Sequence, residues 1–374
     1  MTPMLPTAED NDVCLTDVLV SCLSAVGVSS MANRAGIPRS EGIVLVVVDG
    51  LGSMNLSRAR GHARFLCDAR HKMTEISSVF PSTTAAALTS LMTGVEPAQH
   101  GIVGYRIRNP ATGEIFNQLN ELHRAPDNWL RSVTLAAKLD GEASIHVVGR
   151  EKFAHAPLTK MIYAGATYLS AESLAQRLDI AISLTQDPGQ VIVVYVSELD
   201  SLAHKFGVDS AAWLAELEEL DARIREATAG LPAGVSIVVT ADHGVIDVPA
   251  TQQTLITSPD LVDGVAGIGG EPRCLQLYVD DEEFIPRIIE SWSTFVGPNA
   301  DVMTRQQAFD RGLFGPHANV SPDVLARVGD VLVLAREDTV YYDGNASNRA
   351  PQRMIGQHGA QSLAEMSIPL IVIN

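Results

Sequence analysis

Three apolar runs of this chain lead into aspartates. Ile43–Val48 runs into Asp49-Gly50, Val191–Val196 is followed by S-E-L and Asp200, and Ser236–Thr240 leads through Ala241 to Asp242-His243-Gly244. Ligands of open parallel sheets bind at the carboxyl edge of the strands, so carboxylates far apart in sequence converge there. Like charges gathered in that way demand a counter-ion. Histidines accompany them: His243 adjoins Asp242, His204 follows Asp200 in D-S-L-A-H, and His358 sits in G-Q-H-G-A. Positions i and i+4 share a helix face, which suits two ligands of one ion. Three Asp and three His exceed the needs of one tetrahedral ion and suit two. Mixed nitrogen and oxygen donors point to zinc, with manganese second. Singly, each residue has an ordinary explanation: Asp49 as a turn, Asp200 as a helix cap, His358 as a loop residue. Their conjunction is what reads as a metal site.

A nucleophile is offered by the segment Ser78–Gly94. Pro81-Ser82-Thr83-Thr84 reads as a helix start, A-A-A-L-T-S-L-M-T as the helix and Gly94 as its stop. A hydroxyl at such a terminus lies where free N–H groups and the helix dipole favour a phosphate and a developing alkoxide. Ser82 and Thr83 read as caps. Thr84 is the remaining hydroxyl, which a bound metal would turn into a nucleophile at neutral pH.

The elements that must position these groups are Val- and Ile-rich. Together with Val331–Leu334 and Ile368–Ile373, the apolar runs read as strands buried on both faces, hence a parallel sheet. Helical patterns at Ser170–Thr185 and Ala211–Thr228 are long enough for right-handed crossovers. The expected fold is α/β, a mainly parallel central sheet with helices on both faces and an inserted smaller α+β subdomain. Residues 1–250 and 329–374 are expected to form the core. Residues 251–328 are expected to form the inserted subdomain or lid, with a Gly-rich Asp263–Gly270, a strand-like Cys274–Val279 and a helix-like Glu282–Trp292. A second cap element runs from Tyr105 to Asn128, where N-P-A-T-G-E reads as a hairpin turn.

Composition narrows the partners. With 46% hydrophobic and 19% charged residues over 374 positions, a disordered or fibrous chain is excluded. The net charge of −17 repels nucleic-acid polymers and anionic membranes alike. Four well-separated cysteines without a C-x-x-C fit free thiols in a reducing compartment. The stretch Met1–Asp12 lacks the basic residues of a signal peptide, and no apolar run approaches a membrane span, so the cytoplasm is the expected location.

The order V-x-x-D-G, F-P-x-x-T, T-G-x-x-P-x-x-H-G-I, D-x-x-x-H, D-H-G and G-x-H-G, spread from Val44 to His358, resembles the alkaline phosphatase superfamily. Within it the pattern is similar to the nucleotide pyrophosphatase/phosphodiesterase (type I phosphodiesterase) branch. The resemblance implies that Thr84 is the nucleophile. It implies that Asp200, His204 and His358 hold one zinc, and that Asp49, Asp242 and His243 hold a second, which also binds the Thr84 oxygen. It implies a covalent phospho-threonine intermediate, later released by water, and a small phosphorylated substrate, a nucleotide among the candidates. Where that branch has an asparagine soon after H-G-I-V, this chain has Tyr105, which is assigned here to substrate binding. No nucleoside-stacking aromatic pair is recognisable, so the substrate class stays broader than nucleotides. A phosphonoacetate hydrolase-like enzyme shares the threonine and the two-zinc site and is the alternative, with a phosphomonoesterase beside it. From another class, a non-catalytic metal-binding scaffold is opposed by the complete ligand set. With no arginine near Thr84 in sequence, and Arg106, Arg108 and Arg273 unplaced, diesters are expected to be preferred over monoesters.

Overall fold

Gly42–Val48 is buried at every position, so both faces of this β-branched strand are covered. The computed structural model describes residues 12–139, 141–315, 320–346 and 349–374. Gly42–Val48 lies at the centre of a seven-stranded sheet. It pairs in parallel with Gln190–Val196 on one side and Val235–Ala241 on the other, so that Val48, Val196 and Ala241 stand level. The whole order is Lys72–Ser77, Ser367–Ile373, Val235–Ala241, Gly42–Val48, Gln190–Val196, Ser144–Gly149, Thr167–Ser170. The expected crossover helices form at Leu174–Leu184 and Ala211–Ala229, opened by the side chains of Ser173 and Ser210. The second buries Trp213, Leu217, Leu220 and Ile224, a stripe at helical spacing. Among the described residues no helix is long and apolar enough to cross a membrane.

Two of the five buried runs behave differently from expectation. Ser367–Ile373 does join the main sheet, but antiparallel to both neighbours. Burial on two faces yields the same continuous apolar run whichever way a strand points. Val331–Ala335 is equally buried yet belongs to a second, antiparallel sheet. Its alternate side chains serve two cores: Leu332 and Leu334 join the main one, while Val331, Val333 and Ala335 pack with Ile288 and Trp292 of the helix Ile285–Val296.

That second sheet has the order Ala300–Thr304, Val331–Ala335, Cys274–Val279, Val265–Glu271, Arg106–Arg108, Ile115–Asn117. The hairpin around N-P-A-T-G-E is present, with Arg106 opposite Asn117, and it extends the same sheet rather than forming a separate cap. A further strand, Val340–Asp343, pairs with Gln253–Ile256. The division expected at 328/329 therefore falls inside the second sheet, because the Val331 run closes that sheet and the main sheet resumes only at Ser367.

Candidate metal and phosphoryl-transfer site

The level strand ends carry the acidic groups to one edge. Asp49 directly follows its strand and is tied by its N–H to the Val196 carbonyl at 2.9 Å. Asp242 follows Ala241, and Asp200 lies in the first turn of the helix Glu198–Phe206. Gly244 is required by close approach, since a Cβ there would collide with the Ala364 carbonyl. Thr84 is the first residue of the helix Thr84–Thr93, and its Oγ1 lies 3.2 Å from His243 Nε2. His358 arrives on the loop after Gly356–Gln357.

Each histidine donates Nδ1–H to a carbonyl: His204 to Gly356 at 2.7 Å, His358 to Ser82 at 2.8 Å and His243 to Gly244 at 3.2 Å. A carbonyl only accepts, so each Nε2 is left with its lone pair facing the centre. Opposite them stand Asp49 Oδ1, Asp200 Oδ1 and Asp242 Oδ2, all buried and without a hydrogen-bond partner. His243 Nε2 is 3.3 Å from Asp49 Oδ1 and 3.5 Å from Asp242 Oδ2, and His204 Nε2 is 3.2 Å from Asp200 Oδ2. Lone pairs of both kinds converging without a donor call for cations, and this donor set fits them. Ligand atoms of Asp200, His204 and His358 lie within 4.8 Å of one another, as do those of Asp49, Asp200 and His243. Asp200 thus reaches both groups, whereas the sequence resemblance gave it to one.

The ionisation behaviour has the same cause. Burial, then the Asp242 and Asp200 carboxylates, raises Asp49 well above the usual range. Asp242 is pushed up to about 7 by burial and by Asp200. Burial takes His243 down to about 4, and burial with His243 takes His358 down to about 3. Asp200 moves the other way: burial opposes its ionisation, but the His204, His358 and His243 imidazoles hold it below the usual carboxylate range.

Asp49, Thr84, Asp200, His204 and His358 floor a cavity of about 580 Å³, with Asp242 and His243 outside its lining, and its wall includes Tyr105, Asn120, Lys152, Phe153, Tyr163 and Tyr195. Phe153 meets Tyr195 edge to face at 5.8 Å, and Tyr163 meets Tyr168 at 6.1 Å. This aromatic wall was not recognisable in the sequence, because Phe153, Tyr163 and Tyr168 come from short elements far from every motif. Tyr105 lines the cavity, with the Asn117 side chain beside its hydroxyl. Asn109 turns its side chain into its own hairpin, to the Ala111 N–H.

Sequence reasoning also missed the supports. Tyr195 donates its hydroxyl to Asp49 Oδ2; a lone tyrosine in a buried strand is the signal, since its O–H must find a partner. Ser82 does not cap the helix. Its hydroxyl donates to the Ala360 carbonyl at 2.7 Å and accepts the Gly359 N–H at 3.1 Å, which fixes the loop bearing His358. Thr83 occupies the N-cap position without a side-chain cap bond. Arg273, from the second sheet, grips Glu365 through two bonds of 2.7 and 2.9 Å and is fully buried. Glu365 in turn accepts the Ala360 N–H at 2.9 Å, and its carbonyl accepts the Gly244 N–H at 2.7 Å. Arg273 is therefore a brace rather than a substrate ligand. Arg273→Ala is expected to destabilise the fold by roughly 3–5 kcal/mol in urea unfolding, because it strands a buried carboxylate.

With the geometry in place, comparison with known proteins is decisive about ancestry. The family model described as type I phosphodiesterase / nucleotide pyrophosphatase matches residues 43–361. The chain belongs to this family. An uncharacterised pyrophosphatase/phosphodiesterase of Schizosaccharomyces pombe is 27% identical over 191 residues, 47% of this chain and 38% of that protein. This chain thus matches well under half the length of that curated relative. In structure, this type I phosphodiesterase family member is similar to murine ectonucleotide pyrophosphatase/phosphodiesterase 5, at 18% identity and a TM-score of 0.67 over 88% of this chain and 87% of that one. It is similar also to phosphonoacetate hydrolase from Sinorhizobium meliloti, solved with phosphonoformate, at 22% identity and a TM-score of 0.66 over 90% and 91% of the two chains. Both likenesses are of fold: a mixed α/β chain with a mostly parallel central sheet.

Proposed function

We propose that this protein is a two-metal phosphodiesterase, of the nucleotide pyrophosphatase kind, in which Thr84 attacks phosphorus. The observation that carries the reading is the Thr84 hydroxyl 3.2 Å from His243 Nε2, amid the orphaned carboxylate oxygens of Asp49, Asp200 and Asp242, of which Asp49 and Asp200 line an open cavity. Asp200, His204 and His358 would hold one divalent ion and Asp49, Asp242 and His243 the other, with zinc favoured by the donor types. Bound there, such ions supply Lewis-acid stabilisation of the attacking and leaving oxygens of an in-line displacement. The chain's own residues do the rest. The N-terminal amides of the helix Thr84–Thr93 face the phosphoryl group, and Thr84 forms a phospho-threonine that water later hydrolyses. The leaving alcohol lies against Phe153, Tyr163 and Tyr195, a wall suited to a flat or apolar group, nucleosides included. Four free cysteines support a reducing, cytoplasmic setting.

Charge favours diesters. Two dications against three aspartates leave about one positive charge, matching a diester monoanion. No arginine lines the cavity among the described residues: Arg273 is held by Glu365, and Arg108 lies over the Tyr278 ring at 4.4 Å. Lys152 alone adds a side-chain ammonium or guanidinium charge at the wall. The zinc-loaded protein is therefore expected to hydrolyse bis-p-nitrophenyl phosphate at least tenfold faster, in kcat/KM, than p-nitrophenyl phosphate. A tenfold monoester preference overturns the reading. Faster turnover of phosphonoacetate than of either ester would move the protein to the phosphonate hydrolases, and a fully loaded protein inert towards all three would be a scaffold.

A further inference from the structure

Tyr195 meets the site in two ways. It lies on the strand Gln190–Val196, level with Val47 of the central strand, and side chains two residues apart share a face, so its own side chain comes up beside Asp49. Its hydroxyl donates to Asp49 Oδ2, while Asp49 Oδ1 has no hydrogen-bond partner and stands 3.3 Å from His243 Nε2. Its ring lines the cavity and meets Phe153 edge to face at 5.8 Å. Asp242 is held in the same manner by the backbone: Oδ1 accepts the Gly50 N–H at 3.1 Å and the His243 N–H at 2.9 Å, and Oδ2 has no partner. Each of these two carboxylates thus has one oxygen occupied and one open. Asp200 differs, because its Oδ1 has no partner and the atom beside its Oδ2, at 3.2 Å, is His204 Nε2, itself a prospective ligand.

We propose that Tyr195 is a positioning residue for one metal ion, the one placed at Asp49, Asp242 and His243: its O–H holds Asp49 by Oδ2, so that Oδ1 is the ligand atom. This rests on the two-metal reading above. A donor to the outer oxygen fixes the orientation of a ligating carboxylate, and its loss costs about ten- to a hundredfold in metal affinity. Among the described residues no other hydroxyl or N–H donates to Asp49, so nothing replaces the tyrosine when its oxygen is removed. A buried phenol must find some acceptor, and Tyr278 does so on the Arg327 carbonyl at 2.8 Å, far from any ligand. The acceptor of Tyr195 is a prospective ligand instead. Its ring is a separate asset, part of the wall against which the leaving alcohol lies. Tyr195→Phe removes the hydroxyl and keeps the ring, which separates the two roles.

The test compares Tyr195→Phe with wild type and with Tyr278→Phe. Zinc affinity is read by competition with a chromophoric chelator, beside the unfolding midpoint and kcat and KM for bis-p-nitrophenyl phosphate. Tyr195→Phe is expected to weaken one of the two zinc ions by about ten- to a hundredfold and to leave the other as it was. Added to His204→Ala, which keeps the ion at Asp49, it should show the whole of that loss; added to Asp242→Asn, which keeps the other ion, it should show none. In limiting zinc kcat falls, in excess zinc it recovers, and KM stays unchanged because the ring remains. Tyr278→Phe is expected to lower the unfolding midpoint with both zinc affinities kept. Unchanged zinc affinity in Tyr195→Phe overturns the proposal. So does an equal weakening of both ions, or a matching loss in Tyr278→Phe, since either makes the hydroxyl a general support of the fold. A wild type that takes up no zinc overturns this proposal together with the two-metal reading. One that takes up two zinc ions but hydrolyses no diester defeats only the proposed function, and the affinities still judge Tyr195.

Discussion

Thr84→Ala is expected to keep both metal ions and its unfolding midpoint while losing kcat by on the order of 10⁴- to 10⁶-fold, the scale seen when a covalent nucleophile is removed. The geometry makes the contrast with its neighbours sharp. Of the three hydroxyls in S-T-T, only that of Thr84 reaches the His243 imidazole, at 3.2 Å. Thr83→Ala removes a side chain that caps nothing and should change kcat by less than about tenfold. Ser82→Ala leaves the Gly359 N–H without its partner and should cost roughly 1–3 kcal/mol of stability, with a moderate loss of activity through a looser His358. Rapid mixing of diester with enzyme should show a burst of released alcohol in wild type and none in Thr84→Ala. A Thr84→Ala enzyme with near-normal turnover would remove the nucleophile from the proposal.

Removing metal ligands is expected to have the second largest effect, and a graded one. His204→Ala and Asp242→Asn should each lose about one ion per chain by elemental analysis. Asp200→Asn, whose carboxylate reaches both groups, should lower the occupancy of both. Each should reduce kcat/KM by roughly 10³-fold or more, since the lost Lewis acid accounts for several kcal/mol of transition-state stabilisation. The pH dependence follows in sign. Asp242, raised to about 7, must lose a proton in order to ligate, so apparent metal affinity rises as pH rises through that value and binding releases protons. A carboxyl with a raised folded-state pKa favours folding while protonated, and that contribution fades as pH climbs towards 7. His243 and His358, held low by burial, contribute in the opposite sense as pH rises through the ordinary histidine range, so the readout is zinc affinity, which should rise between pH 5 and pH 7. Equal apparent zinc affinity at pH 5 and pH 7 would contradict this account.

The residues that meet at the floor were readable because each is announced locally. A strand end followed by Asp, an i, i+4 Asp–His pair and a D-H-G turn are short-range signals, and a parallel sheet gathers strand ends without further instruction. What could not be read depends on packing between distant segments. Nothing near Ser367–Ile373 encodes its antiparallel direction, and Val331–Ala335 looks like a parallel strand because two cores cover it. Tyr105 was placed at the cavity by its distance from H-G-I-V, but the side chain beside its hydroxyl, Asn117, comes from the other strand of a hairpin. Arg273 and Glu365 are ordinary surface residue types, and only the folded chain shows them facing each other in the interior.

The brace between those two residues bears on how this protein can be taken apart and rebuilt. Glu365 belongs to the segment that enters the last strand of the main sheet, yet its counter-charge comes from the turn between two strands of the other sheet. Excising the second sheet to obtain a minimal catalytic core would leave an unpaired carboxylate beneath the loops of His358 and His243. Exchanging that sheet for a relative's would do the same unless the donor brings its own arginine to this place. The two layers form a single inheritable unit, and recombination that respects the helix and strand borders while separating Arg273 from Glu365 should yield chimeras that fail at the metal site first.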